Sequence, residues 1–108
     1  MTTFDDRERS YEAKFVLDAD QEFRAVARRN RMLGRWAGEQ LGLSGEQLDD
    51  YCRSVVKADF EEAGDDDVLR KVSADLQGKA DAAEIRAEME RLLQIARKEI
   101  AAGGSAGA

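Results

Sequence analysis

Apolar residues recur at three- and four-residue spacing in four stretches separated by short polar breaks, and each stretch predicts an amphipathic helix. In the first, Phe23, Val26, Leu33, Ala37 and Leu41 share one face with Trp36 beside them, which predicts a helix over about 20–41. Leu43-Ser44-Gly45 ends it, with Ser44 and Gln47 reading as a capping box and Leu43 with Leu48 as a hydrophobic staple. A second helix over about 45–62 would turn Leu48, Tyr51, Cys52, Val55, Val56 and Phe60 inward. Gly64 suits the stop after it and Asp65 the N-cap of a third, over about 66–77, that buries Val68, Leu69, Val72 and Leu76. Gly78 closes the third helix. The fourth opens at Asp81, with Glu84 three residues on, and runs to about 102; Ile85, Met89, Leu92, Leu93, Ala96 and Ile100 give it the cleanest stripe in the chain.

Ahead of these helices, residues 2–17 follow a different pattern. Thr3 suits an N-cap, and Asp5 and Asp6 would sit in a first turn, where the helix dipole favours negative charge. Phe4, Tyr11 and Phe15 recur at i, i+7 and i+11, a narrow aromatic stripe on a cylinder otherwise carrying Arg7, Glu8, Arg9, Glu12 and Lys14. That stripe is thin for a core helix, and an isolated helix of this length is marginal in water. The segment reads as one that becomes helical when docked. The competing reading is an extension of the next helix, since Phe15, Ala19, Phe23 and Val26 keep one period; Asp18 and Asp20 mark the break. The run after Ala101 is small and flexible in composition. The expected organisation is therefore an N-terminal segment over 1–18, a bundle over 19–102 and a tail over 103–108. The fold class is all-α: a four-helix bundle with a projecting, flexible or helix-prone N-terminal segment. Gly34, Gly38 and Gly42, every fourth residue, would let helices approach closely.

Composition narrows the chemistry. The 108 residues include no histidine, no proline and one cysteine. Those absences argue against zinc, haem, a disulfide framework and histidine-assisted catalysis. Cys52, inside an apolar stripe, reads as a core thiol. A net charge of −6 opposes nucleic acid as a partner. No apolar run approaches a membrane span and the start lacks a signal-peptide core, so direct membrane insertion is not expected and a cytoplasmic location is. Between Asp59 and Asp67 lie six acids, with Glu61, Glu62, Asp65 and Asp66 among them. Their spacing does not fit a calcium loop, and they read as a solvated turn facing the row of arginines on the first helix, Arg24, Arg28, Arg31 and Arg35. Exposed turn acids lack the burial that tunes a catalytic carboxylate, so neither an enzyme nor a resident cofactor is expected. Arg24, Arg28, Arg31 and Arg35 line one side of that first helix, with Arg29 off the row. They form either a solvated, paired face or a surface for carboxylates or phosphates. In the second case Trp36 could stack a base while Arg28, Arg31 and Arg35 hold phosphates, a weak adenine-nucleotide site.

The strings Met1-Thr2-Thr3-Phe4-Asp5-Asp6-Arg7-Glu8-Arg9 and Tyr11-Glu12-Ala13-Lys14-Phe15 resemble the start of the bacterial ATPase inhibitor zeta-subunit family. The likeness continues through Ala27–Ala37, Leu41–Gly45, Val55–Glu62 and Gly64–Val72 in matching order and spacing. It implies a helical bundle that regulates the catalytic head of the F-type ATP synthase, peripheral to the inner membrane. Family members insert the N-terminal segment between the alpha and beta subunits, near the gamma shaft, and block rotation in the hydrolytic direction. Carried onto this chain, the partner-binding residues would be Thr3, Phe4, Asp5, Asp6, Arg7, Glu8, Arg9, Tyr11, Lys14 and Phe15. Tyr11 stands where many relatives have phenylalanine, and Ser10 where alanine is common.

Overall fold

The computed structural model describes residues 17–59 and 65–103. Among them four helices follow in order: α1 over Ala19–Gln40, α2 over Gly45–Ala58, α3 over Asp66–Asp75 and α4 over Ala82–Ala101. The all-α bundle is as the spacing predicts. The N-terminal segment up to residue 16, the tail beyond Gly103 and residues 60–64, with Phe60, Glu61, Glu62 and Gly64, lie outside the described residues.

Helix boundaries follow from where the first-turn N–H groups find acceptors. Asp18 ends the N-terminal run by capping α1: its carboxylate accepts from Gln21 N at 2.7 Å, and Gln21 returns a bond from Asp18 N at 3.1 Å. Asp81 and Glu84 cap α4 in the same reciprocal way, at 2.8 and 3.2 Å. Two expected caps do not form. Ser44 occupies the N-cap of α2 with extended backbone but makes no side-chain cap bond. Asp65 precedes α3 without capping it, because its carboxylate is engaged by Arg29 at 2.7 Å. α2 also stops short of the expected residue 62, passing through Ala58 to Asp59.

The main core joins Leu33 and Ala37 of α1, Val55 of α2, Val68, Val72 and Leu76 of the α3 region and Ile85, Met89 and Leu92 of α4. A smaller cluster, Ala25, Ala96 and Ile100, lies at the other end of the α1–α4 pair, with Leu17 and Met32 against it. The stripe of α4 is buried as its pattern predicts. The stripe of α1 is buried only in part: Leu33 and Ala37 are in the core, but Phe23 is 58% exposed among the described residues, while Ala25, Arg29 and Asn30 are buried. The reason is length. Gly34 packs on Cys52 and Gly38 on Leu48, so α2 runs antiparallel to α1. At 14 residues against 22 it ends before reaching the level of Phe23.

The glycines divide by role. A Cβ on Gly34 would sit 2.7 Å from the Cα of Cys52, so the α1–α2 crossing depends on the missing methyl. Gly42 instead turns the chain, contrary to the close-approach expectation. Its φ is +79°, and Leu43 N bonds Gly38 O at 2.9 Å while Gly42 N bonds Glu39 O at 3.0 Å, a Schellman stop for α1. α3 is tied to α2 through one cluster: the Tyr51 hydroxyl donates to Asp75 at 2.8 Å, and Lys71 reaches the same carboxylate at 2.9 Å while standing 5.1 Å above the Tyr51 ring.

Candidate functional site

The arginine row lies on the outside of α1, and its members split into two kinds. Arg24 pairs with Asp20 at 2.8 Å, one turn back. Arg28 reaches across to Glu99 of α4 at 2.6 Å, and Arg97 of α4 reaches back to Glu22 at 2.7 Å, so the two long helices are cross-braced near one end. Arg97 is held above its ordinary pKa chiefly by that hydrogen bond to Glu22. Arg31 and Arg35 are exposed and meet no carboxylate within ion-pair range among the described residues.

These two arginines form a ridge between two grooves. On the α4 side, Arg28, Arg31, Arg35 and Trp36 line a groove of about 450 Å³ together with Met32, Leu92, Glu39 and Glu99. The structure therefore brings together all four residues expected from the sequence as a nucleotide surface. It also places two carboxylates among them. On the α2 side, Arg31 and Arg35 face Arg53 and Lys57 across a groove of about 630 Å³ floored by Cys52 and Val56, with Asp49 at its edge. The sequence reading missed this second group. Arg53 and Lys57 are one turn apart, and an i,i+4 cation pair is a legible signal once the facing helix is known. Cys52 is buried, and that burial raises its thiol pKa, with Arg35 and Arg31 pulling the other way. It is core, as expected.

Arg29, off the row, is the arginine with a structural task. It is 1% exposed, and its guanidinium donates to Asn30 Oδ1 and Asp65 Oδ1, each at 2.7 Å. Among the described residues of the acidic turn, Asp65 therefore meets a buried arginine and not the surface row. Nearby, Asp59 is pushed above the usual carboxylate range by burial, with Arg29 opposing and Asp65 and Asp67 adding to the rise. The signal was present in the sequence, since Ala25, Arg29, Leu33 and Ala37 recur every four residues on the buried side.

Every residue expected to touch a partner through the N-terminal segment, from Thr3 to Phe15, lies outside the described residues. Among those described, no group of acids or cysteine is placed to hold a metal ion, and no helix is long and apolar enough to cross a membrane.

Together the fold and surface define a small all-α bundle that presents exposed cations along two grooves. The pattern of the ATPase inhibitor subunit zeta family matches residues 1–99, and the chain belongs to that family. Membership makes it a regulatory, inhibitory protein and implies association with an ATPase, the ATP synthase. A protein solved by solution NMR is 51% identical, with a TM-score of 0.68 over 73% of this chain and 93% of that one. Among curated proteins none matches.

Proposed function

We propose that the chain inhibits ATP hydrolysis by the F-type ATP synthase through its N-terminal segment, residues 1–18, which enters the interface of the alpha, beta and gamma subunits and blocks rotation, while the bundle holds it in place. One observation carries this reading: the family match begins at residue 1, so the charged, aromatic segment is part of what defines the family and not an appendage to it. Phe4, Tyr11 and Phe15 are anchors of the kind that dominate interface energetics, and the charges between them set register. The Asp18 cap supports the division, because α1 starts at Ala19 behind an extended, side-chain-capping Asp18. A photo-cross-linking residue in place of Tyr11 tests the location. The reading expects capture of alpha, beta or gamma subunits from the purified catalytic head; capture of none of them would refute it.

A second reading has an observation of its own. The groove beside Trp36 joins an aromatic face to Arg28, Arg31 and Arg35, which suits a weakly held adenine nucleotide. Glu39 and Glu99 line it too, leaving three cations against two acids, so phosphate attraction there is modest. Titration of Trp36 fluorescence with ATP would reveal binding, and no change at millimolar ATP would dismiss it.

A further inference from the structure

The α1–α2 groove is cationic out of proportion to the molecule. Arg31, Arg35, Arg53 and Lys57 line it against a single acid, Asp49, in a chain whose net charge is −6. Arg53 has a partner one turn away in Asp50, but Lys57, Arg31 and Arg35 have none among the described residues. Such an arrangement has a cost: like charges gathered across one groove repel, and among the described residues only Asp50, through Arg53, forms an ion pair with any of the four. Their geometry is also regular. Each helix contributes two cations at i,i+4, a rise of about 6 Å, on two antiparallel helices locked together by Gly34 against Cys52. Carboxylates one turn apart on an approaching helix have that same rise and would meet the cations of each row in register.

We infer that this groove is the bundle's own docking surface for an acidic helical segment of the ATPase, separate from the N-terminal segment. The inference rests on the inhibitor reading above and adds a second contact to it. The half-buried Val56 and the edge of Cys52 supply an apolar floor for the approaching helix, and Asp49 repels a carboxylate at one end, which fixes direction and register. Exposed charge pairs of this kind add modest affinity and much of the on-rate and specificity. The bundle contact should therefore be salt-sensitive, while the aromatic anchoring of the N-terminal segment is less so.

The test uses the full chain and the purified catalytic head. Arg53→Glu with Lys57→Glu reverses the two cations that line this groove and not the one beside Trp36. The expected result is about a tenfold rise in the concentration needed for half-inhibition at low salt, shrinking as salt is added. Arg53→Gln with Lys57→Gln should show a smaller rise, and Arg86→Glu, on α4 and outside both grooves, none. Circular dichroism establishes that each variant is folded. In parallel, carbodiimide coupling of the native complex should join Lys57 Nζ to an Asp or Glu of the ATPase. An unchanged half-inhibition concentration in the folded double reversal overturns the inference. So does Lys57 coupling only within its own chain or to a second copy. Failure of the wild-type chain to inhibit would instead strike the N-terminal reading, and the coupling would still report on the groove.

Discussion

Replacing Gly34 by alanine sets two effects of opposite sign against each other. In an exposed helix interior the change stabilises by about 1 kcal/mol, because glycine is a poor helix former. At Gly34 the new methyl would lie 2.7 Å from the Cα of Cys52, a backbone atom that cannot rotate aside. Relief requires α1 and α2 to separate by about an ångström, loosening contacts along the pair; overpacking of this kind costs about 1–3 kcal/mol. The net expectation is a loss of about 1 kcal/mol, or about 5 °C in Tm for a domain of this size. Gly38 provides the internal control. There the obstacle is the Leu48 Cδ1 methyl, the end of a side chain that can change rotamer. Gly38→Ala is therefore expected to fall within about 0.5 kcal/mol of the wild type. Thermal and urea unfolding followed by helical circular dichroism measures both. A Gly34→Ala protein as stable as Gly38→Ala, or more stable than the wild type, would refute the claim that α1 and α2 touch backbone to backbone at this point.

Three further outcomes follow from the buried charges and caps. Arg29→Met leaves Asn30 Oδ1 without its donor and Asp65 without its cation, and should cost about 3 kcal/mol in urea unfolding, the low end for breaking a buried pair because Asp65 is half exposed; a neutral result would mean the pair is not structural. Asp59 holds its proton more tightly folded than unfolded, so its ionisation subtracts stability as pH rises from the ordinary carboxylate range through the raised value, and the loss persists above it. Asp59→Asn should therefore be more stable than the wild type at pH 7 and lose that advantage at pH 4, and an advantage equal at both would contradict the assignment. Asp81→Ala removes the reciprocal cap of α4 and should cost about 1 kcal/mol, whereas Ser44→Ala, at a cap that makes no side-chain bond, should cost less.

The amphipathic stripes made the fold legible. All six residues of the α4 stripe are buried, and three of the four in α3, because their buried faces are made of large apolar residues whose periodicity reports them. α1 was harder. It packs on α2 along one edge and α4 along another, so its buried surface includes Gly34, Gly38 and Asn30, which hydropathy does not mark. Its end beyond the shorter α2 leaves Phe23 outward. Caps were legible where the carboxylate had no competitor, at Asp81, and misread at Asp65, where a distant arginine outbids the local N–H groups. The site followed the same logic. Arg28, Arg31, Arg35 and Trp36 share one helix, so spacing alone grouped them. Arg53 and Lys57 join Arg31 and Arg35 only through the antiparallel crossing, which no local pattern encodes.

The central claim is inhibition of ATP hydrolysis by the N-terminal segment, held by a bundle that folds without it. It is tested most directly by ATP hydrolysis of the purified catalytic head with the full chain and with a version lacking residues 1–14, the helicity of both being checked in the same samples. The account predicts inhibition by the full chain, none by the truncated chain, and an intact bundle in each. Equal inhibition by both, or by neither, would contradict it.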